Sequence, residues 1–343
     1  LLIAQNAALQ GVLQHQPGDR WLATLPIFVL AHLAEGATAI LADADLRRPA
    51  RINGNRLATQ VERGQVDAVV AAPSLLQRLA SARSKPKPFR KVFTGGAPVF
   101  PSSVERLRPL SASGDITVVY GSTEAEPVAH LVCEPGCSWT PTLQGDGLPV
   151  GRPCSAVNLR LIRTPLDGSG HVLSEHEFAR LCVPDGDPGE VVVTGDHVVK
   201  GYVDGVGDEV TKLHVGSGAN RAVWHRTGDA ARFDTDGCLW LLGRCNASVS
   251  TTSGGIRFPF EVEAPLREQF GIECALIEHR SVSTLAIASQ SSNAVPGLKE
   301  AVRQVADEGI EVVSVPSIPL DKRHNGKTDY AALACLLDKE RAC

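Results

Sequence analysis

A tyrosine, a threonine and a glutamate stand close together where an apolar run of the chain ends. Tyr120 closes the run ITVVY, and Thr123 and Glu124 follow it in the turn GSTEAEP. These side chains offer two hydroxyls and a carboxylate, which can bind a polar ligand. Ligands of open α/β sheets bind beyond the carboxyl ends of the strands, so we expect a site at this turn.

Four further segments place polar residues next to glycine turns, and each segment alone is a weak signal. The aspartate of RTGD is typical of a turn or a cap, and the lysine of NGK is typical of a solvated surface charge. The order of the segments along the chain is much more specific. The succession is FTGGAPV (93–99), VYGSTEAEP (119–127), GEVVVTGDHVVKGY (189–202), HRTGDAARFDTDGCLWLLGR (225–244) and PLDKRHNGKTDYAAL (319–333).

This succession resembles the adenylate-forming (AMP-binding) superfamily, which includes acyl-CoA synthetases, fatty acyl-AMP ligases and the adenylation domains of peptide synthetases. The resemblance implies a two-step activation, in which a carboxylate attacks the α-phosphate of ATP to give an acyl adenylate and pyrophosphate. The thiol of coenzyme A or of an acyl carrier then takes the acyl group. We therefore expect an AMP-forming acid–thiol ligase that uses ATP and Mg²⁺, with coenzyme A as the acceptor.

The resemblance also implies which residues carry the chemistry. Glu124 would hold Mg²⁺, to which a glutamate is suited as a hard oxygen ligand, and Thr123 would contact phosphate. Lys327 would bridge the substrate carboxylate and the α-phosphate, as a compact charge on a flexible stem. These three residues form the implied catalytic set, and Glu124 is its metal ligand.

A second set of residues would hold the nucleotide and the thiol acceptor. The ring of Tyr120 would lie against the adenine, with a glycine-rich backbone as the other wall because a flat base needs a close approach. Asp229 would accept hydrogen bonds from the ribose hydroxyls, which Arg244 would also reach. The full set implied for cofactor binding is Gly95, Gly96, Ala97, Tyr120, Gly121, Ser122, Asp229, Arg244, Gly254 and Gly255.

The acceptor side of the site depends on a mobile part of the chain. The loop 253–255, Ser-Gly-Gly, would face the thiol after a small carboxyl-terminal domain rotates about Asn246. The family more commonly has an acidic residue at this hinge, and the stretch GGIRFPFEVE is compressed relative to the family pattern. Val29 stands where the family often has a histidine. These departures bear on the second half-reaction more than on the first.

The glycine-rich Ser/Thr phosphate loop of the family, with its lysine, does not occur in the chain. By the order of the family's motifs it lies just upstream of a helix such as the one that opens this sequence, so we expect the chain to begin immediately after it. Because backbone donors of that loop hold the triphosphate, a protein without it should adenylate poorly. An alternative of another class is therefore a nucleotide-binding pseudoenzyme.

A narrower resemblance leaves the acceptor open. The segments DADLRRPARIN, GGAPVFP and TEAEPVA and the ending KRHNGK are similar to olefin β-lactone synthetases. That branch adenylates a β-hydroxy acid, whose own hydroxyl then displaces AMP to close a lactone, so that coenzyme A is not needed. Glu126, the second glutamate of TEAEP, is given no role by either resemblance.

The elements that must position these residues follow from the apolar patterning. Up to about residue 119, short apolar strands such as WLATLPIF and ATAILAD alternate with amphipathic helices, which is typical of a mostly parallel sheet covered by helices. Glycine, proline and short β-rich runs over 130–243 predict an antiparallel β subdomain. The polar stretch CNASVSTTSGG suits a linker or a mobile loop.

We predict an α/β fold in two domains. Residues 1–244 would be the remainder of a large amino-terminal domain, and 245–343 a small, mobile α+β domain that carries Lys327. The expected small-domain elements include helices in FEVEAPLREQF and GLKEAVRQVADEG and strands in ALIEH, STLAIAS and EVVSVPS.

Composition excludes several classes of protein. The chain has 343 residues, of which 43% are hydrophobic and 21% charged, as in a globular protein with enough mass for two cores. Its net charge of −4 and the lack of a basic block argue against a nucleic-acid partner. Apolar runs such as LPIFVLAHLA are too short for a membrane span. Nine cysteines without a CxxC pair predict reduced thiols in the cytoplasm rather than disulfides or a zinc site.

Overall fold

The computed structural model describes residues 1–46, 48, 51–163, 172–218, 221–252, 254–290, 298–306, 309–321 and 326–340. Among these residues, thirteen strands form one continuous mixed sheet that ends at Arg244, and three later strands form a separate small sheet. The predicted α/β fold class is confirmed. No helix within these described ranges is both long and apolar enough to cross a membrane.

The first part of the large sheet is parallel. Its elements are α1 (Leu2–Leu13), β1 (Arg20–Ala23), α2 (Pro26–Ala34), β2 (Thr38–Leu41), α3 (Gly54–Arg63), β3 (Ala68–Ala71), α4 (Pro73–Ala80), β4 (Lys91–Gly95), α5 (Pro101–Leu107) and β5 (Ile116–Ser122). The strands lie in the order β2-β1-β3-β4-β5, and each neighbouring pair is parallel.

Both faces of the inner parallel strands are buried, whereas the edge strand β2 is partly exposed. In β1, Trp21 packs into the apolar cluster under α1 and α2, while Leu22 packs into the cluster under α3, α4 and α5. Successive side chains of a strand point to opposite faces, so two clusters on one strand mean that helices cover each face. This is why the strands read as short, nearly continuous apolar runs.

The expected strand WLATLPIF is only partly correct. β1 ends at Ala23, and PIF belongs to α2, whose first residue is Pro26. Proline is favoured at the first helical position because its fixed φ suits the helix and its missing N–H is not needed there. The helices α4 and α5 also begin with a proline, at Pro73 and Pro101.

The second part of the large sheet is mainly antiparallel. Its elements are β6 (Ala125–Cys133), α6 (Thr140–Leu143), β7 (Leu148–Pro153), β8 (Asn158–Ile162), β9 (Val172–Leu173), α7 (Glu175–Leu181), β10 (Gly189–Thr194), α8 (Asp208–Thr211), β11 (Lys212–Val215), β12 (Ala222–Phe233) and β13 (Leu239–Arg244). The order β5-β6-β7-β13-β12-β10-β8 continues the parallel part without a break, and β11 joins β12 to β9. The predicted β-rich subdomain is thus part of the same sheet.

The rest of the chain builds the small sheet and its helices. Its elements are β14 (Val249–Ser250), β15 (Ile256–Arg257), α9 (Pro259–Phe270), β16 (Cys274–His279), β17 (Val282–Ala288), α10 (Leu298–Val305), β18 (Glu311–Val315) and α11 (Tyr330–Glu340). The strands lie in the order β16-β17-β18. Leu266 of α9 packs with Leu276 and Leu285 of the sheet in one buried cluster.

The stretch CNASVSTTSGG, expected to be a linker or a mobile loop, contains regular local structure in its described residues. Its first residues form a 3₁₀ turn, Cys245–Ala247, and the next begin the hairpin of β14 and β15. The N–H of Thr251 donates to the carbonyl oxygen of Gly255, and the N–H of Gly254 donates to that of Thr251, which closes the turn of the hairpin. Local hydrogen bonding of Ser, Thr and Gly therefore gives this polar segment a defined conformation.

Helix α9 joins the small sheet to the large one. The N–H and Oγ of Ser102 both donate to the carboxylate of Glu268, at 2.7 and 2.8 Å. The guanidinium of Arg267 lies 4.2 Å from the centre of the Phe100 ring. The domain boundary near residue 245 stays a prediction.

Candidate active site

A cavity of about 420 Å³ lies where β4, β5 and β13 end, between the large sheet and the small sheet. We call it the central cavity. Residues from both parts of the chain line it, so that it could hold a ligand at the place expected for an open α/β sheet. The residues predicted from sequence that line this cavity are Gly96, Ala97, Tyr120, Gly121, Asp229, Arg244, Asn246 and Lys327.

Tyr120, Asp229 and Arg244 form one connected cluster in the wall of the central cavity. The hydroxyl of Tyr120 donates to Asp229 Oδ2 at 2.9 Å. Arg244 Nη1 donates to Asp229 Oδ1 at 2.8 Å and to the carbonyl oxygen of Thr227 at 3.0 Å. Asp229, within β12, is paired with Arg244 at the end of β13, and Tyr120 of β5 reaches the same carboxylate, so three residues distant in sequence meet.

The cluster fixes the carboxylate in one orientation. Burial, and then the nearby Asp229 carboxylate, raise the pKa of Tyr120 well above its ordinary value. The phenol therefore stays protonated and donates a hydrogen bond to Asp229. Each oxygen of Asp229 accepts one of these hydrogen bonds and retains a further lone pair. A ligand with two adjacent hydroxyls could donate to such a fixed carboxylate.

The glycines after β4 are required by the packing of the backbone. A Cβ on Gly95 would lie 2.2 Å from the carbonyl oxygen of Val119, on the neighbouring strand β5. Gly96 has a φ of 76°, in the left-handed region where glycine is favoured. The wall beside Tyr120 is therefore bare backbone, which gives a flat group close access.

Lys327 reaches the central cavity from the small-sheet side. Its N–H donates to Asp321 Oδ1 at 3.1 Å, and its carbonyl oxygen accepts a hydrogen bond from the N–H of Asp321 at 2.8 Å. The side chain is exposed, and its ammonium makes no hydrogen bond or ion pair with the residues that the structure describes. The backbone is held while the ammonium remains available to a ligand.

Glu124 and Thr123 lie on the turn between β5 and β6, outside the lining of the central cavity. Thr123 is exposed, and Glu124 accepts a hydrogen bond at 2.9 Å from the hydroxyl of Tyr202. Burial opposes ionisation of Glu124, but the hydrogen bond from Tyr202 and one from its own backbone outweigh it and lower its pKa. Glu124 is therefore a carboxylate at neutral pH.

The donor set around Glu124 suits one kind of metal ion. Within the described part of the chain, no group of three or more His, Cys, Asp and Glu side chains is arranged to hold a metal. A single ionised carboxylate fits Mg²⁺, which is commonly bound through one or two carboxylates together with substrate phosphates and water. It does not fit a cation that needs a full protein cage.

Sequence reasoning missed the residues that support Glu124. Lys212 is only 1% exposed, and its ammonium lies 5.0 Å from the centre of the Tyr202 ring. The ammonium donates to the carbonyl oxygen of Val199 at 2.7 Å and lies 3.1 Å from His225 Nδ1. Burial and the neighbouring Lys212 lower the pKa of His225 to about 4, so its ring is neutral. Tyr202 and His225 lie inside quoted motifs and could have been found there, whereas Lys212 carries no signal.

The acceptor loop is not brought to the central cavity. Gly254 and Gly255 lie in the turn between β14 and β15, where the N–H of Gly255 donates to Thr251 Oγ1 at 2.9 Å. Ser253 lies outside the described residues. Ser122, predicted beside Tyr120, ends β5 and does not line the cavity.

The small-sheet part adds cavity residues that were not predicted. Glu263 of α9 lies in the lining with Arg267 and Tyr330. It accepts a hydrogen bond from the N–H of Leu276 at 2.8 Å, and burial raises its pKa to about 7. The helix that begins at Tyr330 was not predicted, because the tail that contains it was interpreted only through its lysine.

Comparisons with known proteins converge on one family. The model of the AMP-binding enzyme family matches residues 2–203. An olefin β-lactone synthetase of Stenotrophomonas maltophilia is 30% identical over 97% of this chain and 62% of its own length. A 2-succinylbenzoate–CoA ligase of Bacillus licheniformis is 25% identical over 73% of this chain and 46% of its own length.

Solved structures show the same fold. The amide bond synthetase McbA of Marinactinospora thermotolerans superposes with a TM-score of 0.70 at 22% identity, over 97% of this chain and 65% of that one. An O-succinylbenzoate coenzyme A synthetase of Bacillus subtilis, in complex with ATP and magnesium ion, gives 0.67 at 19% identity, over 94% and 63%. The chain spans less than two thirds of the length of each of these proteins.

Proposed function

The chain belongs to the family of AMP-binding enzymes, and from this premise we propose that it activates a carboxylic acid with ATP. The products of the first step are an acyl adenylate and pyrophosphate, and the acyl group then passes to an acceptor. The observation that carries the proposal is the meeting of the Tyr120–Asp229–Arg244 cluster with Lys327 around one cavity.

The first step is a substitution at the α-phosphate. A carboxylate oxygen of the acid forms a bond to the α-phosphorus, and the bond to the β-phosphate bridging oxygen breaks, so that pyrophosphate leaves with the electron pair. Lys327 holds the carboxylate and the α-phosphate together and offsets the charge that develops on the phosphate oxygens. The role is supported by the position of Lys327 in the cavity lining and by an ammonium without a partner among the described residues.

The nucleoside is bound by the cluster and the glycine wall. Asp229, fixed by Tyr120 and Arg244, accepts hydrogen bonds from the ribose hydroxyls. The bare backbone of Gly96 and Ala97 lies on the same cavity as the ring of Tyr120, and the adenine enters between them. Binding both substrates in one cavity makes the reaction effectively unimolecular.

Glu124 would hold Mg²⁺, which when bound supplies positive charge to the phosphates. Tyr202 keeps this carboxylate ionised and oriented through its hydroxyl. Thr123, on the same turn, contacts phosphate. Lys212 packs against the ring of Tyr202, and this contact positions the phenol.

Two acceptors are supported by different relatives. Transfer to the thiol of coenzyme A or of an acyl carrier is supported by the similarity to 2-succinylbenzoate–CoA ligases. Closure of a β-lactone by the hydroxyl of a β-hydroxy acid is supported by the similarity to olefin β-lactone synthetases. For the first acceptor, Gly254 and Gly255 would approach the thiol after the small domain rotates about Asn246.

Pyrophosphate release tests the proposal on the full-length natural protein. Fatty, aryl and β-hydroxy acids are supplied in turn with ATP and Mg²⁺, with and without coenzyme A. Release that depends on an acid supports adenylation, and an acyl-CoA product identifies the thiol route. Release with a β-hydroxy acid that gives no CoA ester identifies lactone closure, whereas no release with any acid would leave a nucleotide-binding pseudoenzyme.

A further inference from the structure

The second glutamate of the turn TEAEP has a different environment from the first. Glu126 lies on β6, and its side chain lines a small cavity of about 20 Å³ instead of joining Glu124 and Tyr202. We call this the side cavity. Glu126 is the one carboxyl-bearing residue of its lining, which is otherwise formed by apolar residues and glycine backbone, including Leu25, Phe28 and Val70.

The carboxyl of Glu126 makes no hydrogen bond or ion pair with the residues that the structure describes, although its charge is felt by the nearby Cys154 thiol. Its oxygen Oε2 lies against the backbone of Gly121, where a Cβ would be only 2.8 Å away. A polar group in apolar surroundings without a hydrogen bond is destabilising, so a ligand that pairs with it gains affinity.

The side cavity adjoins the central cavity. Gly96 and Val119 line both of them, so the two cavities meet at these two residues. Its volume of about 20 Å³ is enough for one small polar group, since a water needs at least roughly 10–15 Å³ of such volume. An acid bound with its carboxylate near Lys327 could extend a substituent to this point.

We propose that Glu126 determines which acid is activated, by accepting a hydrogen bond from a donor group on the acid's carbon chain. The donor is a hydroxyl or an ammonium, since both groups donate hydrogen bonds and both fit the side cavity of about 20 Å³. This inference rests on the proposed function, because it names the substrate class of the same site. Acids whose chain lacks a donor leave the carboxyl unpaired and are activated less efficiently.

Selectivity between matched acids tests the role of Glu126. Pyrophosphate release is measured on the full-length protein with short straight-chain acids, each compared with its hydroxy and amino derivatives substituted at the α, β or γ carbon. The variants are Glu126→Gln, Glu126→Leu and, as a control at an exposed position, Glu134→Gln. The readout is the ratio of kcat/KM for the donor-bearing acid to that for the unsubstituted acid, which compares two substrates within one protein and is independent of yield.

We expect the natural protein and Glu134→Gln to favour one donor-bearing acid by about tenfold or more. Glu126→Leu should bring that ratio to about one or below. If the donor is a hydroxyl, Glu126→Gln should keep most of the preference, and if it is an ammonium, Glu126→Gln should lose it. An equal ratio in the natural protein and Glu126→Leu overturns the inference while leaving adenylation intact. No release with any acid overturns the proposed function and this inference with it.

Discussion

At the scale of single residues, the account depends most on the exposed ammonium of Lys327. Its backbone is hydrogen-bonded to Asp321, the residue lines the central cavity, and its exposed side chain has no partner among the described residues. The cluster of Tyr120, Asp229 and Arg244, which we propose binds the nucleotide, is held by hydrogen bonds that do not involve Lys327. Chemistry and nucleotide binding can therefore be altered independently.

Replacing Lys327 by alanine should lower the rate of adenylation by about 10²–10³-fold, the usual effect of losing one charge-stabilising donor. The affinity for ATP should change little, since the cluster around Asp229 remains. Adenylation is measured by pyrophosphate release and ATP affinity by calorimetry. Lys339→Ala, which removes an exposed lysine of α11, is the matched control and should leave both unchanged. Normal adenylation by the Lys327 variant would refute the assignment.

Tyr202→Phe should change the pH dependence of the reaction. The phenol donates to Glu124 and favours its ionised form, so removing the hydroxyl leaves burial as the main influence and raises the pKa of Glu124. The acid limb of kcat/KM against pH should therefore move to higher pH, with a higher Mg²⁺ requirement. Activity well above this limb should approach that of the natural protein. An unmoved acid limb would mean that Tyr202 does not support Glu124.

The order of the motifs in the sequence predicted which residues meet at the site, but the supporting contacts around them could not be predicted. Asp229, Arg244 and Lys327 were predicted from motif order, and the structure brings all three to the central cavity. Lys212 could not be predicted, because its burial beside Tyr202 depends on the pairing of β11 with β12. Such long-range pairing leaves no local pattern around a single lysine.

At the scale of elements, the hairpin of β5 and β6 divides the site. Tyr120, on β5, lines the central cavity, Glu124 on the turn faces Tyr202, and Glu126, on β6, lines the side cavity. By the roles proposed above, one short segment would contribute to nucleotide binding, metal binding and acid selection. Its two strands are held in place by β4 and β7 on either side.

The junction of β4 and β5 should tolerate no side chain at Gly95. In Gly95→Ala the new Cβ would overlap the carbonyl oxygen of Val119, 2.2 Å away in the native backbone, so the strands must shift. We expect a loss of roughly 1–3 kcal/mol in the free energy of unfolding and weaker ATP binding. Urea unfolding and calorimetry measure the two effects.

Gly11→Ala provides the matched control for this substitution. A Cβ on Gly11 meets nothing within 4 Å, and the residue lies inside α1. Because alanine is a better helix former than glycine, this variant should be more stable by roughly 0.5–1 kcal/mol. Equal effects of the two substitutions would contradict the role given to the Gly95 contact.

Elements were predictable to different degrees. Alternating apolar strands and helices predicted the parallel part, because burial on both faces leaves a strong pattern. The start of α2 was missed, since PIF continues the apolar run of β1 and only Pro26 marks the change. The turn at Thr251 was read as a linker, because its hydrogen bonds to Gly255 are invisible in a polar sequence.

At the scale of the whole molecule, the central cavity lies between two parts of one chain. The large sheet supplies the nucleotide cluster, and the small-sheet part supplies Lys327. Ser102 and Glu268 hold the two parts together through paired hydrogen bonds. We propose that rotation about Asn246 separates the two half-reactions, which requires these contacts to break.

The most direct test of adenylation is to detect the acyl adenylate itself. The full-length protein is incubated with ATP, Mg²⁺ and a panel of acids without coenzyme A, and the products are analysed by mass spectrometry. The account predicts that an acid gives either an acyl-AMP or a lactone together with AMP, in each case with a stoichiometric amount of pyrophosphate. None of these products should form with Lys327→Ala. ATP binding at the central cavity without acyl-AMP, lactone or pyrophosphate from any acid would contradict it.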